Sequence, residues 1–315
     1  MQRNRWFRLS VILGLLLTGS PPLAVAAPAR PAPARFEFGL FGNQRRNDAE
    51  RARFPQLVAA MNAADLAFSV DDGGIGAAPG DCNDAAALAA RDLLDRFRAP
   101  LVYTPGQTDW LDCRAGDGPL ARLGALRRIF FAADHSAGRD PMDLARQRPY
   151  FPENARWNEG PVTFATIHVI GESDGLGRGQ SGEVAARHTA ADAWLNGTFD
   201  EAERRSSAGI VLVWQADPRF GRNTPAYNGL RGALRARTIA FGRPVVLVHG
   251  DGGYFRVDKP MVDEGGRRVE NFTRVETFDG SEPDWVRGMV DPDRPGLFTF
   301  RAEPIGAADG PEQPR

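Results

Sequence analysis

Short apolar runs rich in β-forming residues alternate with Ala/Leu/Arg-rich segments of helical period, and this alternation restricts the chain to a parallel or mixed sheet covered by helices on both faces. The first run, 36–42, is followed by a helix predicted over 48–62. A second run at 66–70 precedes a helix over 84–98 whose apolar face reads Leu88, Leu93, Leu94 and Phe97. A third, 101–103, leads through a loop to a helix over 120–131. Residues 132–159, with His135 and several prolines, read as irregular. Then come a strand at 162–170, a helix over 183–205, a buried strand at 210–214, a helix over 227–240 and a buried strand at 244–248. From there strands follow without helices: around Phe255, then 274–278, 286–290 and 297–300. That finish reads as antiparallel.

The two ends read differently. Arg3, Arg5 and Arg8 precede an apolar run over 9–17, and Ala24-Val25-Ala26 stands before Ala27, the pattern of a secretory signal peptide over 1–26. The run is about half the ~20 residues that span a bilayer, so the expectation is an exported protein, periplasmic or secreted, with no stable membrane span after cleavage. No cysteine at the cleavage site points to a lipid anchor. Residues 27–34 form a Pro/Ala-rich tether and 306–315 a polar, disordered tail, which leaves one domain over 35–305. With 42% hydrophobic residues a large core is available, and 39 basic against 40 acidic side chains offer no excess charge for nucleic acid. The two cysteines, Cys82 and Cys113, are most simply paired in an exported chain, closing a loop worth about 3 kcal/mol in the chain-entropy model. Neither has a second cysteine or a histidine at metal-ligand spacing.

In such a sheet the functional loops lie at the carboxyl ends of the strands. In order they are Gly42-Asn43-Gln44-Arg45, Asp71-Asp72-Gly73-Gly74, Pro105-Gly106-Gln107-Thr108-Asp109-Trp110, His168, Gln215-Ala216-Asp217-Pro218, and His249-Gly250-Asp251-Gly252-Gly253-Tyr254. Most follow an apolar strand and carry glycine or short polar residues, so they are expected to converge on one polar rim.

Three of these stretches are specific: YTPGQTDWLDC from Tyr103 to Cys113, QADP from Gln215 to Pro218, and VHGDGGYFRVDKP from Val248 to Pro260. The chain thereby resembles the calcineurin-like metallophosphoesterases, and more closely an exported bacterial branch of them, over nearly the whole mature length. The resemblance implies an α/β sandwich of mixed β-sheets flanked by helices, with antiparallel strands toward the C-terminus. It also implies two-metal phosphoester hydrolysis, in which one ion polarises the phosphoryl oxygen and a bridging hydroxide attacks in line.

Carried over position by position, Asn43 stands where the first-motif aspartate would be, Asp72 matches the aspartate that bridges the metals, and Gln107 takes the Asn/Asp ligand position. Thr108 replaces the following residue, often a proton-donating histidine, and Asp109 keeps an acid next to it; these two are the implied catalytic positions. Asp251 lies near the first histidine of a G-H-x-H motif, Gly253 replaces its last, and His168 and His249 remain as nearby imidazoles. The implied cofactor is a divalent metal (Mn, Fe or Zn), or none if the losses at Asn43, Gln107 and Gly253 have emptied the site. Other readings stay open: Asp71-Asp72 as a structural loop, His168 as a satisfied buried histidine, and His135 and His188 as surface residues. The candidate phosphate clamp is Arg45, Arg46 and Arg256. A Cys82–Cys113 bridge would pin the second and third loops together. Two functions follow: a non-catalytic descendant whose cleft binds a small phosphorylated ligand or an envelope protein, and an active phosphoesterase with an atypical mononuclear site centred on Asp72.

Overall fold

The computed structural model describes residues 35–45, 47–75, 82–113, 117–278 and 284–305, so the expected signal peptide, tether and tail lie outside the described residues. The first half runs β1 (Phe36–Phe41), α1 (Asp48–Ala63), β2 (Phe68–Asp71), α2 (Asp84–Leu94), β3 (Leu101–Tyr103), α3 (Gln107–Trp110) and α4 (Pro119–Phe130). Then follow β4 (Ala145–Gln147), β5 (Phe151–Glu159), β6 (Val162–Thr166), α5 (Gly171–Asp174), α6 (Ser181–Arg204), β7 (Gly209–Trp214) and α7 (Pro225–Phe241). The chain closes with β8 (Val245–His249), β9 (Arg256–Asp258), β10 (Phe272–Glu276), β11 (Trp285–Val290) and β12 (Phe298–Glu303).

Two mixed sheets result, one in the order β12-β11-β1-β2-β3 and the other β4-β5-β6-β7-β8-β10-β9. Strands joined through helices pair in parallel: β1 with β2, β2 with β3, β6 with β7 and β7 with β8. The antiparallel finish holds for β9, β11 and β12, but β10 lies parallel to β8 because the chain crosses back to start β10 at the same end of the sheet.

Alternation along the strands separates the core into three layers. Between the sheets sit Phe38, Phe68, Trp157 and Phe164, with Phe38 and Phe68 stacked at 5.4 Å and Phe68 edge-on to Phe164 at 4.9 Å. Outside the first sheet, Phe41 stacks on Phe97 at 5.4 Å beneath α1 and α2. Outside the second, Leu195, Phe199 and Leu234 bury α6 and α7 against Ile210, Leu212 and Leu247. Asn47 starts α1 by accepting the Glu50 N–H at 2.9 Å and donating to its carboxylate at 2.7 Å.

Three expectations are corrected. Residues 132–159 hold β4 and β5; β5 escaped notice because buried Glu153 and part-buried Arg156 interrupt its apolar alternation, one neutralised by Arg127 and the other laid over Trp194. Leu88 is 52% exposed, since α2 packs through the small residues Ala87 and Ala90 with Leu94. His188 is no plain surface residue: its Nε2 lies 2.5 Å from the Asp174 carboxylate, with the side chain 34% exposed. Cys82 and Cys113 are bonded, with Cα atoms 5.6 Å apart. Among the described residues no helix is long and apolar enough to cross a membrane.

Candidate functional site at the strand ends

The loops after β1, β2, β3, β6, β7 and β8 meet through hydrogen bonds between one loop and the next. Asn43 N–H donates to Gly73 O at 2.7 Å, and Thr104 N–H to Asp71 O at 3.0 Å. The side chain of Gln215 accepts from Gly171 N–H at 2.6 Å, while its carbonyl accepts from Gly250 N–H at 3.1 Å. Three loops crowd together at Gly171, where a Cβ would lie 2.6 Å from Asp251 Oδ2 and 2.9 Å from Gln107 Oε1. Only glycine lets the loop after β6 reach both of those loops.

The carboxylates at this end are deeply buried. Asp72 accepts from the Thr277 hydroxyl at 2.6 Å, and its Oδ1 has no hydrogen-bond partner. Burial pushes the Asp72 carboxyl well above the usual carboxylate range; the Thr277 bond opposes this and Asp251 adds to it. Asp71 is raised likewise by burial, against a 3.0 Å bond from Gly73 N–H and with Asp72 and Asp109 repelling. Asp109 is committed to the backbone: one oxygen accepts from both Gly106 N–H at 2.7 Å and Gly74 N–H at 2.9 Å, tying the third loop to the second. Gln107, at the start of α3, donates to Asp112 at 3.0 Å, and Thr108 follows it half-buried.

The two imidazoles stand in different surroundings. His168 is fully buried; Trp110 Nε1–H donates to its Nε2 at 3.1 Å, so the ring proton sits on Nδ1 and points to Glu153 at 3.0 Å. Both ring nitrogens are therefore used within the protein. Glu153, on β5, also holds Arg127 through two bonds at 2.6 and 3.0 Å. Burial alone would raise its pKa, but hydrogen bonds and charge attraction from His168 and Arg127 hold it at about 2. His249 falls on the helix-covered face, in register with Trp214 and Glu276, and its Nδ1 bonds Gly250 O at 2.6 Å. Burial pushes its pKa down to about 4, helped by Arg274 and Arg256 and opposed by the Gly250 bond.

Of the proposed phosphate clamp, Arg256 is paired with buried Glu276 and Arg45 lies over the Phe54 ring at 5.4 Å, while Arg46 lies outside the described residues. Thr277, Glu153 and the side-chain bond of Gln215 were not foreseen; no local motif marks them, because each acts on a residue distant in sequence.

A two-metal centre needs several anionic or imidazole donors converging on ions about 4 Å apart. The residues present do not fit this: Asn43 and Gln107 are amides, Gly253 has no side chain, and His168 and Asp109 are bound to protein groups. Among the described residues no group of three or more His, Cys, Asp or Glu side chains is placed to hold a metal ion.

No known family profile matches the chain, and no curated protein matches it. The fold does have solved counterparts. A dimetal phosphatase from Danio rerio superposes with a TM-score of 0.54 and 11% identity, covering 85% of this chain and 95% of that one. A purple acid phosphatase from yellow lupin (Lupinus luteus) seeds gives a TM-score of 0.54 and 10% identity over 90% of this chain, which spans only 54% of the plant enzyme. Two mixed sheets with helices on their outer faces, and loops gathered at the strand ends, give this chain the fold of the calcineurin-like metallophosphoesterases.

Proposed function

We propose that this is an exported metallophosphoesterase-fold protein whose strand-end cleft has reduced or lost two-metal phosphoester hydrolysis and serves as a binding site, for a small phosphorylated ligand or an envelope protein. The observation that carries the reading is the pair of hydrogen bonds that Gly74 N–H and Gly106 N–H donate to one oxygen of Asp109: an acid at an expected catalytic position closes the loops instead. The engaged nitrogens of His168 and the disulfide beside α3 support the same view, since they hold the rim together without an ion. Export is supported by the N-terminal sequence pattern and by that disulfide.

One observation favours a second reading, a mononuclear site: Asp72 Oδ1 is buried without a hydrogen-bond partner, which is a vacant oxygen donor for a hard cation. Elemental mass spectrometry of the purified mature protein, after dialysis against metal-free buffer and again after reloading with Mn, Fe or Zn, separates the two. The proposal expects no retained ion and no turnover of an aryl phosphate ester. About one ion per chain, lost in Asp72→Ala, would establish the mononuclear reading, and about two ions with hydrolysis would refute the proposal.

A further inference from the structure

Many surface arginines of this chain meet a carboxylate, as Arg237 meets Asp200 at 2.6 Å and Arg267 meets Asp263 at 2.9 Å. Those beside the first half of α7 are arranged differently. The turn after β7, over 218–222, winds around the Arg231 guanidinium: Nη1 donates to Pro218 O at 2.9 Å and to Arg219 O, and Nη2 to Arg222 O at 2.8 Å and to Asn228 Oδ1. Each of these acceptors is neutral, so the charge of Arg231 is fixed in place without being cancelled. Asp217 attracts it, but that carboxylate bonds Arg219, accepting its N–H at 2.8 Å and lying 3.4 Å from its Nε.

Arg235 follows Arg231 by one turn on the same face of α7. Its one ion pair among the described residues is with Glu264, at 3.7 Å and with that acid 92% exposed, a pair worth little in water. Arg222 is exposed and makes no ion pair among the described residues. These three arginines border a cavity of about 410 Å³ whose apolar wall includes Phe220, Met261 and Val262. Phe220 stands edge-on to Phe272 at 5.4 Å, which anchors that wall to the core outside the second sheet, and Val262 is 47% exposed. The walls come from the loop after β7, from α7 and from the segment after β9; Asp72, Gln107 and Asp109 do not border it.

Three positive charges thus face one loosely held acid around an apolar surface. Like charges gathered in this way repel, and an anion placed among them relieves the repulsion. Arg231 supplies charge, its terminal nitrogens being spent on the turn, whereas Arg222 and Arg235 keep N–H groups for a ligand. We infer that this cavity beside α7 is a binding site for an anionic amphiphile, its charged head bonded by Arg222 and Arg235 in the field of Arg231 and its apolar body laid on Phe220, Met261 and Val262. The volume falls within the range of small-molecule pockets, and guanidinium groups are suited to anionic oxygen acceptors. The site is separate from the strand-end cleft and uses no metal.

The test titrates 1-naphthoate calorimetrically into the full mature protein in the presence of a chelator, beside 1-naphthamide, which has the same ring system without the charge, and acetate, which has the charge without the rings. Naphthoate should bind one molecule per chain. The other two should bind at least about tenfold more weakly, the amide for want of the ion pair and acetate for want of apolar contact. Replacing both surface arginines, Arg222→Gln with Arg235→Gln, should weaken naphthoate by about tenfold or more and leave the amide unmoved. Arg139→Gln, at an exposed arginine that does not border the cavity, should leave naphthoate binding as it is. Absence of saturable naphthoate binding, equal affinity for the amide or for acetate, binding unmoved by the double substitution, or an equal loss in Arg139→Gln would overturn the inference.

Discussion

Replacing Glu153 by glutamine tests how the third loop is anchored to the second sheet. The carboxylate is fully buried and accepts three hydrogen bonds, two from Arg127 and one from His168, whose other nitrogen receives Trp110 at the end of α3. Its pKa is held at about 2, well below the ordinary 4.5, a gap worth about 3 kcal/mol at 1.36 kcal/mol per tenfold change in proton affinity. Glutamine keeps the shape but loses the charge that meets Arg127 and part of the hydrogen bonding, and we expect the substitution to cost about 2–3 kcal/mol. The sign in pH follows from the depressed value: the stabilisation is fully present above pH ~4.5 and is lost as pH falls toward ~2. Urea unfolding at pH 7 and at pH 3 should therefore show a larger penalty for Glu153→Gln at pH 7, with a shallower acid-side decline than in the parent. A loss below about 1 kcal/mol at pH 7, together with an unchanged acid slope, would refute the anchoring argument.

Three further outcomes are expected. Cys82→Ser, or reduction, should lower stability by up to about 3 kcal/mol, because the bridge closes a 31-residue separation; chemical unfolding with and without reductant reads it. Gly42→Ala should lower the melting temperature and expression of folded protein, because the new Cβ would lie 1.7 Å from Asp72 Oδ1, a contact that backbone or carboxylate must move to relieve at about 1–3 kcal/mol. His249, held neutral by burial with its pKa near 4, favours the folded state fully above pH ~6.5 and loses that advantage as pH falls toward ~4; in His249→Gln the melting temperature should vary less across that interval.

The strands that carry the rim were legible because each is a short apolar run ending in glycine or a small polar residue, as at Phe41-Gly42-Asn43 and Val70-Asp71-Asp72-Gly73. β5 was not, because the ion pair that makes Glu153 tolerable comes from α4, 26 residues away in sequence. The strand predicted over 162–170 ends at Thr166, since the chain turns there to bring His168 onto Trp110 and Glu153. His168 and His249, equal candidates as letters, are separated by what each ring touches: two side chains for one, a neighbouring carbonyl and two arginines for the other.

Order of elements, the pairing of two cysteines and the presence of amide or glycine at three expected ligand positions are properties of residues in a row, and local propensity and residue chemistry suffice to read them. Which acids face one another and which donors are consumed by backbone N–H groups depend on contacts between residues far apart in the chain. Asp109 meets Gly74 across 35 residues and Asp72 meets Thr277 across 205, and no local pattern encodes such distances. Tertiary packing alone shows that Asp109, an acid at a position expected from the sequence to be catalytic, clasps two loops.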